Sequence, residues 1–254
     1  GPLPPSARAP VAIVYDYEAS WITRIQPQGK DFDFPELMFR WYETVRRLGL
    51  DVDFVRPGAD LRGYKLVLVP TMPHVSDAAE RAFSQADGLV LYGPRTGSKT
   101  RHHAIPPNLP PGPLARLLKA RVLEVSSMRP GLSCAVDGEV EGAAIRWRES
   151  LDVNDAHVLA RFSDGKSALV AAGRHHYLAC WPDADLLASV IKLMTTKTGL
   201  PTVELPEGIR IRRRSNLLFV FNYGDHPWQL PFSGSIVVGS PTIGPQDFTV
   251  VKQG

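Results

Sequence analysis

Residues 11–21 read VAIVYDYEASW, and this stretch decides the fold that the sequence predicts. Its first five residues form a continuous apolar run, which is typical of a β-strand buried on both faces of a sheet. The acidic and aromatic residues that follow predict a loop at the carboxyl end of that strand. Open α/β sheets place their ligand and partner sites at this end. The chain is therefore predicted to begin with an α/β domain whose first loop makes a functional contact.

Alternating helix and strand patterns continue to about residue 125. A helix is predicted after Asp33, whose spacing to Glu36 is that of a capping box, and Gly49 is predicted to end it. A second helix is predicted between Ser76 and Gln85, with Ser76 as its N-cap. Strands are predicted at 52–55, 65–69, 88–92 and 121–125, with a long Pro-rich loop at 93–113 and a short helix before the last strand. This order predicts an α/β fold with a doubly wound, mainly parallel sheet.

The pattern changes after residue 130. Strands are predicted at 143–148, 157–162, 168–172 and 176–181, and the turn signal at 163–165 favours hairpins added to the parallel sheet. One further helix carries apolar residues from Leu186 to Met194 and is predicted to end at Gly199. Short strands follow at 209–213, 217–221, 228–230, 235–238 and 248–251. They predict a small antiparallel β domain that docks on its neighbour, because a domain of about 50 residues is only marginally stable alone.

These patterns divide the chain into three predicted parts. Residues 1–10 contain four prolines and resemble a linker between domains or the remnant of a cleaved purification tag. Residues 11–201 are predicted to form the α/β domain. Residues 202–254 are predicted to form the small β-sandwich-like domain.

The composition is that of an ordinary soluble globular protein. The 254 residues are 44% hydrophobic and 22% charged, and the net charge of +3 is too small and dispersed to favour a nucleic-acid partner. The densest basic run, at 212–214, is expected at the edge of a strand. Two cysteines favour a reducing, cytoplasmic compartment, although secretion of a longer parent stays open. No apolar run reaches the roughly 18 residues that span a bilayer, so no membrane partner is expected.

Segments that resemble signatures of enzymes and cofactor sites lack the spacing that those signatures require. The segment GPRTGSKT at 93–100 suggests a phosphate loop, but Ser98 stands where glycine must precede Lys99. No G-x-S-x-G elbow is present, and neither Cys134, predicted in a turn, nor Cys180, predicted in a strand, has the setting of an amidotransferase nucleophile. The histidine pairs at 102–103 and 175–176 are expected at a surface or an interface, without metal-ligand spacing. The sequence therefore predicts no catalytic residue, no metal and no cofactor.

Asp16 and Glu18 are the carboxylate pair placed where chemistry would use them. They stand two residues apart in an extended segment, which puts them on one side of it. Two interpretations stay open. The pair takes part in chemistry, or it binds backbone amides and fixes the loop while Trp21 packs against a neighbour. The second is favoured.

Several segments resemble the glycoside hydrolase family 42 β-galactosidases. The segments VAIVYDYEASW, LGLDVDFVRPGADLRGYKLVLVPTMPHVSD, GPRTGSKT and IPPNLPPGPL are similar to the middle domain of that family. The tail, LPEGIRIRRRSNLLFVFNYGD, is similar to its small C-terminal β domain. The resemblance covers residues 10–254, in the same order of segments.

The resemblance implies a domain order and a division of labour. Members of the family carry a catalytic (β/α)8 barrel first, then a class I amidotransferase-like, flavodoxin-like α/β domain associated with trimer formation, then the β domain. The two catalytic glutamates of the retaining mechanism belong to the barrel, so no catalytic residue carries over to this sequence. The implied function is noncatalytic: assembly of a homotrimer and bracing of the barrel.

Five residues are candidates for interdomain or intersubunit contacts: Asp16, Glu18, Trp21, Arg95 and Lys99. One alternative is a stand-alone carbohydrate-binding module, in which Tyr17 and Trp21 stack on a sugar that Asp16 hydrogen-bonds. Another is an amidotransferase-like hydrolase, which thiol alkylation would inactivate. Neither cysteine is placed for that chemistry.

Overall fold

The computed structural model describes residues 8–29 and 31–253. Most of the predicted linker, residues 1–7, lies outside the described residues. The helices are α1 (Tyr17–Ile25), α2 (Phe34–Arg47), α3 (Asp77–Ser84), α4 (Ala115–Leu118) and α5 (Ala184–Lys197). In the described part of the chain, no helix is long and apolar enough to cross a membrane.

One sheet of eleven strands forms the centre of the molecule. Its strands are β1 (Val11–Val14), β2 (Val52–Val55), β3 (Leu66–Val69), β4 (Leu89–Tyr92), β5 (Ala120–Ser127), β6 (Ser133–Gly138), β7 (Gly142–Val153), β8 (His157–Phe162), β9 (Ser167–Ala172), β10 (His175–Leu178) and β11 (Cys180–Pro182). The spatial order is β11-β7-β6-β8-β9-β10-β4-β3-β1-β2, and β5 also pairs with β7.

The parallel part of the sheet consists of β2, β1, β3, β4 and β10. Val11 lies opposite Val52 on one side and Leu66 on the other, so β1 is a central strand. All four residues of β1 and all four of β3 are buried, as expected for apolar strands covered on both faces. The carboxyl ends of β1, β3 and β4 therefore open on the same edge of the sheet.

The prediction of a mainly parallel sheet is wrong. Among the described strands, four pairings of this sheet are parallel and six are antiparallel. Strand β5 was expected to complete the parallel unit, but it pairs antiparallel with the long strand β7. The turn signals at 163–165 did indicate the hairpin of β8 and β9, and hairpins account for three of the six antiparallel pairings among the described strands.

The loop predicted after β1 is helix α1. Asp16 is its N-cap, and its buried face carries Ala19, Ile22 and Thr23 at helical spacing. The alternation of polar and aromatic residues from Tyr15 to Glu18 obscured this short amphipathic pattern. Asp16 therefore caps this helix, and Glu18 and Trp21 lie within it.

Two smaller predictions also need correction. Cys134 lies in strand β6, which the sequence did not predict, and not in a turn. His175 and His176 are buried in β10, whereas the pair was expected at a surface or an interface. Cys180 lies in strand β11, as predicted.

The chain after residue 202 forms separate antiparallel sheets around a small apolar cluster. Its strands are β12 (Ile209–Arg214), β13 (Leu217–Asn222), β14 (Trp228–Gln229), β15 (Ser235–Val238), β16 (Thr242–Ile243) and β17 (Asp247–Lys252). The basic run 212–214 forms the C-terminal end of β12, in keeping with its predicted place at the edge of a strand, and the order β12-β13-β17-β15 makes β12 an edge strand of its sheet.

This tail packs against helix α2, in keeping with the expected docking. The buried guanidinium of Arg46 donates hydrogen bonds to the carbonyl oxygens of Leu50 and Ile211. Arg213 donates from its backbone nitrogen to Asp51 (2.9 Å) and from its side chain to the carbonyl oxygen of Gly49 (2.7 Å). The division into domains near residue 201 stays a prediction.

Candidate functional site

The candidate residues gather around helix α1 and the turn that follows β4. The chain enters α1 from the carboxyl end of β1, and the segment 93–100 leaves the carboxyl end of β4. The backbones of His74 and Lys99 form a β-bridge, which ties the second segment to the turn after β3. The five residues predicted from the sequence therefore lie at this edge of the sheet.

Asp16 caps the start of α1. Its Oδ1 accepts a hydrogen bond from the backbone N–H of Glu18 at 3.0 Å. Burial raises the pKa of this carboxyl, and the backbone hydrogen bond partly opposes that change. The carboxylate thus satisfies a free N–H of the first helical turn, which is the usual task of an N-cap aspartate.

Glu18 pairs with a residue from the turn after β3. Its Oε1 lies 3.3 Å from Nδ1 of His74, and almost half of the Glu18 side chain is exposed. A pair this exposed contributes little to stability. It does hold the first turn of α1 against the same segment that contacts Lys99.

Trp21 lies on an outward-facing apolar surface of α1. Tyr17, Trp21 and Ile25 recur every four residues, and their exposed fractions are 68%, 60% and 72%. Residues four apart lie on one side of a helix, so the three side chains form a continuous strip, which we call the α1 stripe. Tyr15 links it to exposed Phe54, because its ring lies 5.0 Å from Tyr17 and 6.2 Å from Phe54.

Arg95, a candidate for an interdomain or intersubunit contact, is buried within the chain. Its side chain is buried and donates to the carbonyl oxygens of Gln26 and Pro27, both at 2.8 Å. Its guanidinium lies 4.6 Å from the ring centre of Phe32 and 5.3 Å from that of Trp147. Burial lowers the pKa of Arg95 to about 10. Arg95 therefore holds the C-terminal end of α1 within its own chain.

Glu149 is a buried partner of Arg95 that the sequence did not reveal. It accepts hydrogen bonds from the backbone N–H of Arg95 (2.8 Å), Nε1 of Trp147 (3.0 Å) and the hydroxyl of Tyr177 (2.5 Å). Burial raises the pKa of Glu149 despite these donors. Its position in β7, next to Arg148 and among other charged residues, carried no signal of this role.

The turn that carries Arg95 needs glycine on both sides. Arg95 adopts φ +65°, in the left-handed region. A Cβ on Gly93 would lie 2.1 Å from the carbonyl oxygen of Pro70, and one on Gly97 would lie 2.0 Å from that of Pro111. The spacing G-x-R-x-G after a strand is that of a nucleophile elbow, with arginine at the nucleophile position. The turn runs into the Pro-rich loop and not into a helix, unlike a phosphate loop.

Lys99 borders a small cavity beside this turn. The cavity has a volume of about 160 Å³, and Arg95, Ser98 and Lys99 contribute to its lining. Burial lowers the pKa of Lys99, and the neighbouring charge of Arg95 lowers it further. In the part of the chain that the structure describes, no cluster of three His, Cys, Asp or Glu side chains has the arrangement of a metal site.

Known proteins match this chain over nearly its whole length. Residues 9–201 match the family described as "Beta-galactosidase trimerisation domain". A Thermus thermophilus protein named "Beta-galactosidase" is 45% identical over 99% of the chain, and the match spans 39% of that protein.

Solved structures agree with this match. The β-galactosidase from the psychrophilic Marinomonas ef1 superposes with a TM-score of 0.94 at 35% identity, over 99% of this chain and 38% of that one. The β-galactosidase of the Antarctic haloarchaeon Halorubrum lacusprofundi gives a TM-score of 0.89 at 29% identity, over 97% and 40%. The chain thus spans about 39% of the length of its first curated relatives. It belongs to the family of β-galactosidase trimerisation domains of glycoside hydrolase family 42.

Proposed function

We propose that this chain joins three copies of a parent β-galactosidase-type glycoside hydrolase and braces its catalytic barrel. The observation that carries the proposal is the α1 stripe of Tyr17, Trp21 and Ile25. The parent reaction would be retaining hydrolysis of terminal β-galactosides, carried out by residues outside this chain. A cytoplasmic location of the parent belongs to the same proposal.

The chemistry of the α1 stripe suits a protein partner. Large side chains exposed together on one face are uncommon in a monomer and mark interaction sites. Tyrosine and tryptophan are also enriched at the buried centres of interfaces, since they bury much apolar area at a low cost in side-chain entropy. The capped start of α1 and the Arg95 brace at its other end hold the stripe in place before binding.

Threefold symmetry defines how one stripe would be used. In a cyclic trimer each contact is heterologous, so the stripe of one copy meets a different surface of the next. Each of the three contacts then contains Trp21 once. One substitution would therefore weaken all three contacts, and the ring would not close through an unaffected one.

We also propose a more specific class for the α/β domain. The parallel strands follow the order β2-β1-β3-β4-β10, which corresponds to the flavodoxin-like order 2-1-3-4-5. Arg95 occupies the elbow position where a class I amidotransferase-like domain would carry its nucleophile. We infer a domain of that class whose nucleophile position serves to hold α1.

The carbohydrate-binding alternative retains the exposed rings of Tyr17 and Trp21. It loses its hydrogen-bond acceptor, because Asp16 is buried and bonded to the start of the helix. Calorimetric titration with galactose and lactose separates the two functions. Heat that Trp21→Ala abolishes would favour sugar binding, and its absence would favour assembly.

The direct test is the light-scattering mass of the purified 254-residue chain, with a chromogenic β-galactoside assayed on the same sample. An inactive particle of three times the single-chain mass is the expected result. A monomer would contradict the assembly proposal. Release of the chromophore would contradict the noncatalytic role, and an intact β-galactosidase serves as the positive control for the assay.

A further inference from the structure

The cavity beside Lys99 is separate from the α1 stripe and has no part in the assembly that we propose. It lies among the turn 95–99, the Pro-rich loop and strand β5, and its 160 Å³ leaves room for several water molecules or a small organic anion. Its lining combines cationic and hydroxyl groups with the exposed apolar side chains of Ile105, Leu123 and Val125.

Hydrogen-bond donors of the lining residues are left without partners. Ser98 Oγ and Arg95 Nε are buried and unpaired, and within residues 8–29 and 31–253 no acceptor contacts Nζ of Lys99. Buried polar atoms are nearly always paired, so the two buried free donors of Arg95 and Ser98, close to the ammonium group of Lys99, indicate a missing acceptor. Ser98, Arg95 and Lys99 are therefore arranged to receive one.

The charges around the cavity favour a negative acceptor. The two acidic lining residues are already engaged: Glu149 accepts three hydrogen bonds, and Glu124 lies 3.5 Å from Lys166. Arg95 and Lys99 together exceed the single buried charge of Glu149. Because a charge with little exposure to water needs a partner, a largely buried lysine that no acceptor of the described residues contacts favours an anion.

We propose that this cavity binds a carboxylate on a short aliphatic stem. The oxygens would accept from Lys99 and Ser98, and the stem would lie against Ile105 and Leu123. Such a carboxylate group belongs either to a small free carboxylic acid or to an acidic side chain of a neighbouring copy of the chain. Charge-assisted hydrogen bonds at such a site are stronger than neutral ones, so a neutral amide of the same shape is a matched control.

The test is a titration of the isotope-labelled chain with sodium propionate, followed by NMR at constant ionic strength and compared with propionamide. Saturable shifts of the Ser98 and Lys99 amides with propionate, absent with propionamide, are expected for a free ligand. Lys99→Met should weaken that binding roughly tenfold or more, since a charged hydrogen-bond partner is lost. Lys65→Met, at an exposed lysine, is the control, and Ser98→Ala is a second variant with a smaller expected loss.

The second source has its own readout. If a neighbouring copy already fills the cavity, propionate gives no shift, and Lys99→Met weakens self-association roughly tenfold or more while Lys65→Met does not. Equal binding of propionamide, or the absence of both effects in folded variants, would overturn the proposal and show a cavity that holds water only. The propionate result does not depend on the α1 stripe, so the two proposals fail separately.

Discussion

Helices α1 and α3 are alike toward the core and unlike toward the outside. Each follows a buried parallel strand, and each has a side-chain N-cap, Asp16 in α1 and Ser76 in α3. Each buries an alanine and a larger apolar residue. The exposed side chains are Tyr17, Trp21, Arg24 and Ile25 on α1, and Asp77, Ala78, Arg81 and Ser84 on α3.

The difference shows where function is added to a common scaffold. The inward faces follow from packing against the sheet, as any helix of this fold requires. The outer face of α3 is what a solvated helix carries, whereas three of the four exposed residues of α1 are large and apolar. Because large apolar side chains exposed together are uncommon in a monomer, we interpret this outer face of α1 as a contact surface for a partner.

The largest effect is expected from removing the Arg95 brace, because α1 has it and α3 does not. Arg95→Ala leaves the carbonyl oxygens of Gln26 and Pro27 without their donor and opens a void between Phe32 and Trp147. We expect a loss of about 3 kcal/mol or more in the free energy of unfolding, measured by urea denaturation. Hydrogen exchange should quicken in α1 more than in α3.

The control for this prediction is Arg81→Ala, which removes an exposed arginine from α3. Its effect should stay within about 0.5 kcal/mol, as is usual for surface substitutions. Equal losses for the two variants would contradict the bracing role of Arg95.

The next effect is expected in the pH dependence of the free energy of unfolding. It involves His175, in the part of the sheet that packs against α3. The ring of Phe83, in α3, lies 5.2 Å from that of Tyr92, whose hydroxyl lies 3.2 Å from Nδ1 of His175. Burial lowers the pKa of His175 from 6.5 to about 4. Between pH 4 and 6.5 the unfolded chain therefore binds a proton at His175 more readily than the folded chain does. The contribution of the neutral, buried His175 to stability is complete above pH 6.5 and is lost as the pH falls toward 4.

Complete loss of the His175 contribution lowers the free energy of unfolding by roughly 3 kcal/mol. It is measured as the difference between the wild type and His175→Gln, because the raised pKa values of Asp16 and Glu149 act in the opposite direction. The variant should show a flatter pH dependence, and His102→Gln, at an exposed histidine, should not. Identical slopes for wild type and His175→Gln would count against the buried neutral histidine.

A smaller but more specific effect is expected on the outer face. Trp21→Ala should weaken self-association by about 2 kcal/mol per contact, roughly thirtyfold, with an unchanged urea midpoint. Sedimentation equilibrium measures the association, and Tyr223→Ala, at an exposed aromatic residue of the tail, is the matched control. An unchanged association constant for Trp21→Ala would remove the main support for the α1 stripe as a contact.

The smallest effect should be the same in both helices. Asp16→Ala and Ser76→Ala each remove an N-cap side chain, and each should cost about 1 kcal/mol in urea unfolding. Neither substitution touches the exposed stripe. A cost at Asp16 several times that at Ser76 would mean that Asp16 does more than cap its helix.

The sequence predicted the elements whose signals are local. The cap spacing of Asp33 and Glu36 and the stop at Gly49 placed α2 correctly, and Ser76 marked the start of α3. Helix α1 was missed because it is short and because Tyr, Trp and Thr are weak helix formers. Its buried residues, Ala19 and Ile22, are too few to stand out against the alternation before them.

The site was predicted in part for the same reason. Trp21 was identified from its place after a buried strand, and the structure leaves it exposed there. The roles of Arg95 and Glu149 depend on contacts between segments 54 residues apart, which no local pattern contains. The antiparallel pairing of β5 with β7 is also non-local, which is why the sheet was predicted as mainly parallel.

The most direct test of the α1 stripe is hydroxyl-radical footprinting of the chain across a dilution series, with the mass recorded at each concentration. We expect Tyr17 and Trp21 to be protected where the particle is a trimer and oxidised where it dissociates, while Tyr223 changes little. A trimer whose Tyr17 and Trp21 are oxidised as fast as in the monomer would contradict the claim that the α1 stripe joins the copies.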